Sequence, residues 1–368
     1  MNTYYENKKK GIEKRNKKIF ENFTKLPSKK IIEESHLLNE RNKINEFTIN
    51  DTICNDQNKF NDHIFKVFKN IYRGNADSSN LDEYCFKIKP ITDNKLIEEM
   101  NKDFNVKDIF ETIDEMEDSS PGPNGLTRLF FKRFLTYFSK YFVQMINNID
   151  KNAPKQFKSS NIKLIPKNNN KIKTINDYRP ITITNYEYRI FAKVIVKRLR
   201  NFNALIFDEQ QHCSIKGRKI DDIFHMIKDF IHDSIMKGKI LKIISIDQKK
   251  AFDSIIHAYL FKFLKYVNIG SKLTSIIVNL YNDSVTRLDI NDSLLEEIKV
   301  KRSIKQGDPL SMWLYILSLQ ELIISIKIIP SIIGYKINIL NNKETKIRAY
   351  ADDIGGTLLD DNSIRELF

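Results

Sequence analysis

The sequence predicts an α+β fold in which a small antiparallel sheet is backed by helices, and three observations carry that expectation. Lys242 to Ile246 reads KIISI, an apolar and β-branched run suited to a central strand. Asn161 to Pro166 and Tyr178 to Thr184 are two short strand patterns around a Lys/Asn-rich stretch at 167–173, which together read as a hairpin with a basic tip. Between these signals lies a helix pattern from about Glu187 to Phe202, in which Tyr188, Phe191, Ala192, Ile195 and Leu199 recur three or four residues apart.

The rest of the chain follows in order. Residues 1–105 are polar and Lys/Asn/Glu-rich, and read as a mainly helical, basic extension. Its clearest helix is Asn58 to Tyr72, carrying Phe60, Ile64, Phe65, Val67, Phe68 and Ile71. The basic run Lys8 to Lys18 reads either as a solvated helix face or as a nucleic-acid arm. Ser119 to Gly125 is a turn by composition and precedes a Phe/Tyr-rich buried helix from Leu126 to Met145. The expected organisation is therefore an extension at 1–105, a second region at 106–240 and a third at 241–368.

Composition bounds the function. The 368 residues include 24 Phe and 15 Tyr, enough apolar area for real cores. The formal net charge of +14 exceeds what a solvated surface needs and points to a polyanionic partner, nucleic acid before an anionic membrane. The three cysteines, Cys54, Cys85 and Cys213, form no CxxC pair, so a disulfide framework and a zinc site are both disfavoured. The expectation is an intracellular protein of the nucleus or cytoplasm. The N-terminus is too charged for a signal peptide, and no run of about 18 apolar residues suggests a membrane span.

Two groups of carboxylates stand out. Asp247 ends the KIISI strand, and a strand-end carboxylate calls for a cation, a donor or a helix to cap; Lys249 to Leu264 is a candidate helix for that cap. Asp352 and Asp353 are adjacent between apolar or aromatic flanks, Arg348-Ala349-Tyr350-Ala351 before and Ile354 after. An Asp-rich turn is the plain reading. Adjacent aspartates also repel each other, and a divalent cation would remove the repulsion. If the two strands are neighbours, Asp247 and Asp352 meet at one edge, the minimal frame for two Mg²⁺ ions.

Here the residues resemble a known family. Tyr350-Ala351-Asp352-Asp353 resembles the YxDD box of reverse transcriptases, and Ser245-Ile-Asp247-Gln-Lys-Lys-Ala-Phe252-Asp253 resembles their first catalytic box, in the variant of LINE-type, non-LTR retrotransposons. Lys305-Gln306-Gly307-Asp308-Pro309-Leu310-Ser311 resembles the RQGxPLS box; Asp308 there reads as a helix cap, with Pro309 at the first helical position and Leu310, Trp313, Leu314 and Leu317 at core spacing. Asn161 to Lys167 and Asp177 to Ile181 resemble the paired finger strands. Ser120-Pro-Gly-Pro-Asn124-Gly125 resembles the SPGPDG box, and Asp208 to Arg218 the DxQxGFxxGR region, from which Gln211-His212-Cys213 departs.

The resemblance implies a right-hand polymerase with fingers and a partial palm. It implies Asp247, Asp352 and Asp353 as ligands of two Mg²⁺ ions, with Mn²⁺ as a substitute. It implies Phe252 as the aromatic gate against a sugar 2′-hydroxyl, and Arg179, Lys167, Lys163, Gln306 and Gly307 at the incoming dNTP. Lys193, Lys197, Arg218 and Tyr350 are the expected nucleic-acid contacts. The implied function is RNA-directed DNA polymerisation, with an RNA template, a DNA primer and dNTPs as partners and no protein partner. The alternatives are an inactive nucleic-acid-binding remnant or a group II intron maturase-like protein. The chain ends at Phe368, soon after Asp353; the resemblance implies more palm and a thumb beyond it.

Overall fold

Strand alternation and helix periodicity sort the chain into two main sheets with helices packed between and behind them. The computed structural model describes residues 43–44, 46–50, 52–73, 85–167, 174–337 and 344–367. The basic run Lys8 to Lys18 and the tip at 168–173 lie outside the described residues. A small hairpin, β1 (Phe47–Ile49) and β2 (Thr52–Cys54), leads to α1 (Gln57–Arg73), α2 (Asn94–Asn101), α3 (Val106–Glu115) and α4 (Arg128–Asn148). A helical turn, α5 (Lys155–Lys158), feeds β3 (Ser159–Pro166) and β4 (Tyr178–Ile183). Helices α6 (Tyr186–Arg200), α7 (Asn203–Ile206) and α8 (Ile220–Lys237) precede β5 (Lys242–Asp247). Then come α9 (His257–Val267), α10 (Ser271–Tyr281), β6 (Val285–Ile290), β7 (Ser293–Lys299) and α11 (Ser311–Ile328). The described part closes with β8 (Tyr335–Lys336), β9 (Glu344–Thr345), β10 (Ile347–Tyr350), β11 (Asp353–Leu358) and α12 (Asp361–Leu367).

The larger sheet has the order β4-β3-β6-β7, antiparallel except for the parallel β3–β6 pair. It crosses the expected 240/241 boundary, because β6 and β7 join strands from the second region. The smaller sheet has the order β10-β11-β5 and is antiparallel throughout. The segment around Gln211 adds a short parallel bridge to its far edge: the His212 N–H donates to Ala349 O at 2.9 Å, and the Ala349 N–H to Gln210 O at 2.9 Å. The departure of Gln211-His212-Cys213 from the family box thus falls on a strip that extends the carboxylate hairpin. β5 is an edge strand, which corrects the expectation of a central one. It alternates half-buried and exposed residues, and Ile243 is exposed. An apolar composition reports that a strand is buried somewhere, but not on how many sides.

Helix α11 runs through the main core, where Leu310, Trp313, Leu314 and Leu317 are all buried, as their spacing predicts. By length and composition it could cross a membrane, which the sequence reading passed over; 67% of it is buried inside this fold. It begins at Ser311, not at Pro309. Asp308 is itself buried, accepting from the Leu310 N–H at 3.0 Å and from the Tyr188 hydroxyl. The expected helix from Lys249 is also displaced: 248–256 is mostly turn, with a short 3₁₀ segment at Phe252–Ser254, and α9 starts at His257. Helix α6 matches its periodicity, and all five expected apolar positions are fully buried. A second core joins Phe47, Phe60, Ile64, Phe68 and Tyr72 to Ile162, Tyr178 and Leu288, so the first elements are packed on the larger sheet.

Candidate active site

The smaller sheet puts the carboxylates together through its register. Asp353, at the start of β11, pairs with Tyr350 on one side and with Asp247, the last residue of β5, on the other. Directly paired residues of antiparallel strands point to the same face, with Cα atoms about 4.5–5.5 Å apart. The β10–β11 turn consists of Ala351 and Asp352, which brings the third carboxylate alongside. Ala351 holds φ +54°, a left-handed conformation that favours glycine, so the turn that presents Asp352 is strained.

Beneath the turn, Tyr315 of α11 donates its hydroxyl to Gln248 Oε1 and stacks on Phe252, with centroids 4.8 Å apart and planes at 15°. Burial, and then the negative charges of Asp352, Asp247 and Asp353, push the Tyr315 hydroxyl well up. All three carboxylates therefore bear on one point. Their side chains form no hydrogen bond or ion pair among the described residues, although Asp247 and Asp353 are exposed and Asp352 is half-buried.

A cavity of about 720 Å³ opens in front of them. Its lining includes Asp247, Asp352 and Phe252, Lys167 and Arg179 from the β3–β4 hairpin, and Gln306 and Gly307. Lys249 and Lys250 add two more cations. The Thr182 N–H donates to Gln306 O at 2.9 Å, which ties the Gln306–Gly307 loop to β4. Gly307 has φ +95°, a conformation that side chains rarely adopt and that lets the backbone itself line the cavity.

No group of three or more His, Cys, Asp or Glu among the described residues is gathered tightly enough to hold a metal as it stands. The donor set nevertheless fits a hard divalent cation. It offers carboxylate oxygens without cationic partners, on one face and at one cavity, where a cation would relieve their mutual repulsion.

The other expected residues divide. Lys163 is not at this cavity; it pairs with Asp289 at 3.4 Å and lines a neighbouring one. Lys197 is held by Glu115 at 2.8 Å and Glu111 at 3.8 Å of α3. Arg218 donates to the backbone carbonyls of Asp208 and Gln211, closing the loop before α8. Lys163, Lys197 and Arg218, expected at the dNTP or the nucleic acid, thus each have partners within the protein and lie outside the cavity lining. Lys193 is half-buried on α6, where burial lowers its ammonium, and Tyr350 packs against the main core. The sequence reading missed Tyr315, Gln248, Lys249 and Lys250. The two lysines were legible, being inside the first box; Tyr315 was hidden in an apolar helix pattern.

The family model described as reverse transcriptase (RNA-dependent DNA polymerase) matches residues 165–358, which contain the three aspartates and most of the cavity wall. The chain belongs to the reverse transcriptase family. Curated relatives of this reverse transcriptase include an uncharacterized 149 kDa protein of transposon TX1 from Xenopus laevis, 26% identical over 84% of the chain and 24% of that protein. A retrovirus-related Pol polyprotein from the type-1 retrotransposable element R2 of Popillia japonica is 28% identical over 67% of the chain and 33% of its own length. Both relatives are proteins of transposable elements. The chain spans only about a quarter to a third of their length. Apo telomerase from Candida tropicalis, truncated from its C-terminal domain, overlays 68% of the chain and 54% of its own at a TM-score of 0.41 and 13% identity. Reverse transcriptases use divalent metal ions.

Proposed function

We propose that this chain is the RNA-directed DNA polymerase segment of a non-LTR retrotransposon protein, adding dNTPs to a DNA primer on an RNA template. The observation that carries the reading is that Asp247 and Asp352, without cationic partners, line a cavity together with Lys167, Arg179, Lys249 and Lys250, while Asp353 is the register partner of Asp247. Two Mg²⁺ ions held by these carboxylates would lower the pKa of the primer 3′-hydroxyl and neutralise charge on the triphosphate. Arg179 and Lys167 hold the triphosphate, the backbone at Gln306 and Gly307 closes on the nucleotide, and Phe252 lies against the sugar. The net charge of +14 supports a nucleic-acid partner, whose affinity then falls linearly in log K against log salt. Three free cysteines support a reducing compartment, nucleus or cytoplasm.

The test is extension of an oligo(dT) primer on poly(rA) with Mg²⁺. The parent chain extends, and Asp352→Ala does not while keeping its circular dichroism spectrum. Extension by the variant at the parent rate removes the assignment.

A further inference from the structure

Ser303 is a serine where the backbone asks for glycine. Its φ is +99°, and the residue is buried. Every polar group it has is tied to one neighbouring segment. Its N–H donates to Ile255 O at 2.8 Å, its carbonyl accepts from His257 Nε2 at 2.7 Å, and its hydroxyl donates to Asp253 Oδ1 at 2.9 Å. The next residue continues the seam: the Ile304 N–H donates to Phe252 O at 3.0 Å. A glycine would relieve the backbone and keep the two main-chain bonds. Only the hydroxyl distinguishes serine; its shortest bond is to Asp253, with the Ile304 carbonyl at 3.3 Å and the Tyr72 hydroxyl also beside it.

Asp253 differs in kind from the three open carboxylates. It is 6% exposed, and burial raises its carboxyl above the usual range. It follows Phe252 directly, so its hydrogen bond and the Ile304–Phe252 bond together pin the backbone at the C-terminal side of the aromatic residue. The ring is fixed from a third side by its stacking on Tyr315. The same seam runs on into Gln306 and Gly307, which line the same cavity as Phe252.

We propose that the buried Asp253–Ser303 pair is the positioning device for Phe252, and that it sets how strongly the site excludes a nucleotide carrying a 2′-hydroxyl. The proposal rests on the polymerase reading above. A steric gate discriminates only if the ring cannot yield, because a sub-ångström retreat admits one more oxygen. Asp253 and Ser303 act through Phe252 and are positioning residues.

The experiment compares kcat/KM for dTTP and UTP on poly(rA)/oligo(dT). Asp253→Ala and Ser303→Ala each lower the dTTP/UTP ratio about tenfold, and the double variant lowers it no further. Asp253→Asn, which keeps an acceptor for the serine hydroxyl, holds the ratio within about threefold of the parent. Loss of folded protein alone scales both nucleotides equally and leaves the ratio unmoved. Ser303→Gly removes the hydroxyl while relieving the backbone, so a lowered ratio there supports the proposal even where Ala variants fold poorly. An unchanged ratio in Ser303→Gly, from a parent that extends and discriminates, overturns the inference alone. A parent that extends with neither nucleotide overturns the polymerase reading and the inference with it.

Discussion

In the larger sheet, Lys163 pairs with Asp289 at 3.4 Å and Arg287 with Glu297 at 2.6 Å. At the turn end of the smaller sheet, Asp247 and Asp353 sit side by side as register partners with no cation between them, and Asp352 hangs from the adjoining turn. The two sheets come from one basic chain with cations to spare. The larger sheet pairs Asp289 and Glu297 with cations of its own strands; the smaller keeps three carboxylates unpartnered, two of them lining a cavity. Charge left uncompensated in a chain so rich in Lys and Arg marks the place where a ligand completes the structure.

The sharpest way to break this contrast is to remove an unpartnered charge. Asp247→Ala is expected to reduce primer extension more than about a thousandfold, as loss of a group acting directly in the chemistry does, without loss of thermal stability. A fall in both together would mean that Asp247 holds the sheet and not a ligand. Next is the pair Arg179→Ala and Lys163→Ala. The first faces the cavity, and its loss raises the KM for dNTP roughly ten- to hundredfold. The second is engaged by Asp289 and half-exposed, so its loss leaves KM near the parent and changes stability by about 0.5 kcal/mol or less. Equal KM effects would erase the distinction between paired and open cations.

A buried charge behind the Gln306–Gly307 loop sharpens the comparison from another side. Lys305 donates to Phe157 O at 3.1 Å and lies 4.2 Å from the centroid of the Tyr188 ring. Burial lowers its ammonium to about 8 from 10.5. Between those values the unfolded chain holds the proton and the folded chain does not. Stability therefore rises with pH across that window, by at most about 1.4 kcal/mol per unit, and the slope vanishes below it. Urea denaturation at pH 8 and pH 10 should show the parent gaining stability relative to Lys305→Met, a difference in which the opposing contribution of the tyrosine hydroxyls that burial pushes up cancels. A small effect on stability alone is expected at the strained turn. Ala351→Gly relieves φ +54° and stabilises the fold by about 0.5–1 kcal/mol, read as a shift in the denaturation midpoint. No gain would mean that neighbouring contacts, and not the turn, set that conformation.

Some of this was legible in the residues. The 3.6-residue period of α6 named its buried face correctly, because periodicity depends on near neighbours only. The boxes around Asp247, Gln306 and Asp352 named three walls of one cavity. Asp308 shows where such reading fails. Its spacing from Pro309 and Ser311 reads as a cap, yet Tyr188, distant in the chain, claims the same carboxylate, and the helix starts later. Lys197 and Arg218 look available in sequence and are engaged in the fold, since their partners lie on other elements.

The sequence by itself determined strands β3, β4 and β5, helices α1, α4 and α6, and that the chain is basic, since each of these is written in residue type and local spacing. Only the tertiary structure decided that β5 lies at an edge, that Asp247 stands opposite Asp353, that Tyr315 stacks on Phe252 and that Ser303 bonds Asp253. Those arrangements depend on strand register and on side chains meeting across distant parts of the chain, and no local pattern encodes a register that is set only when the strands pair.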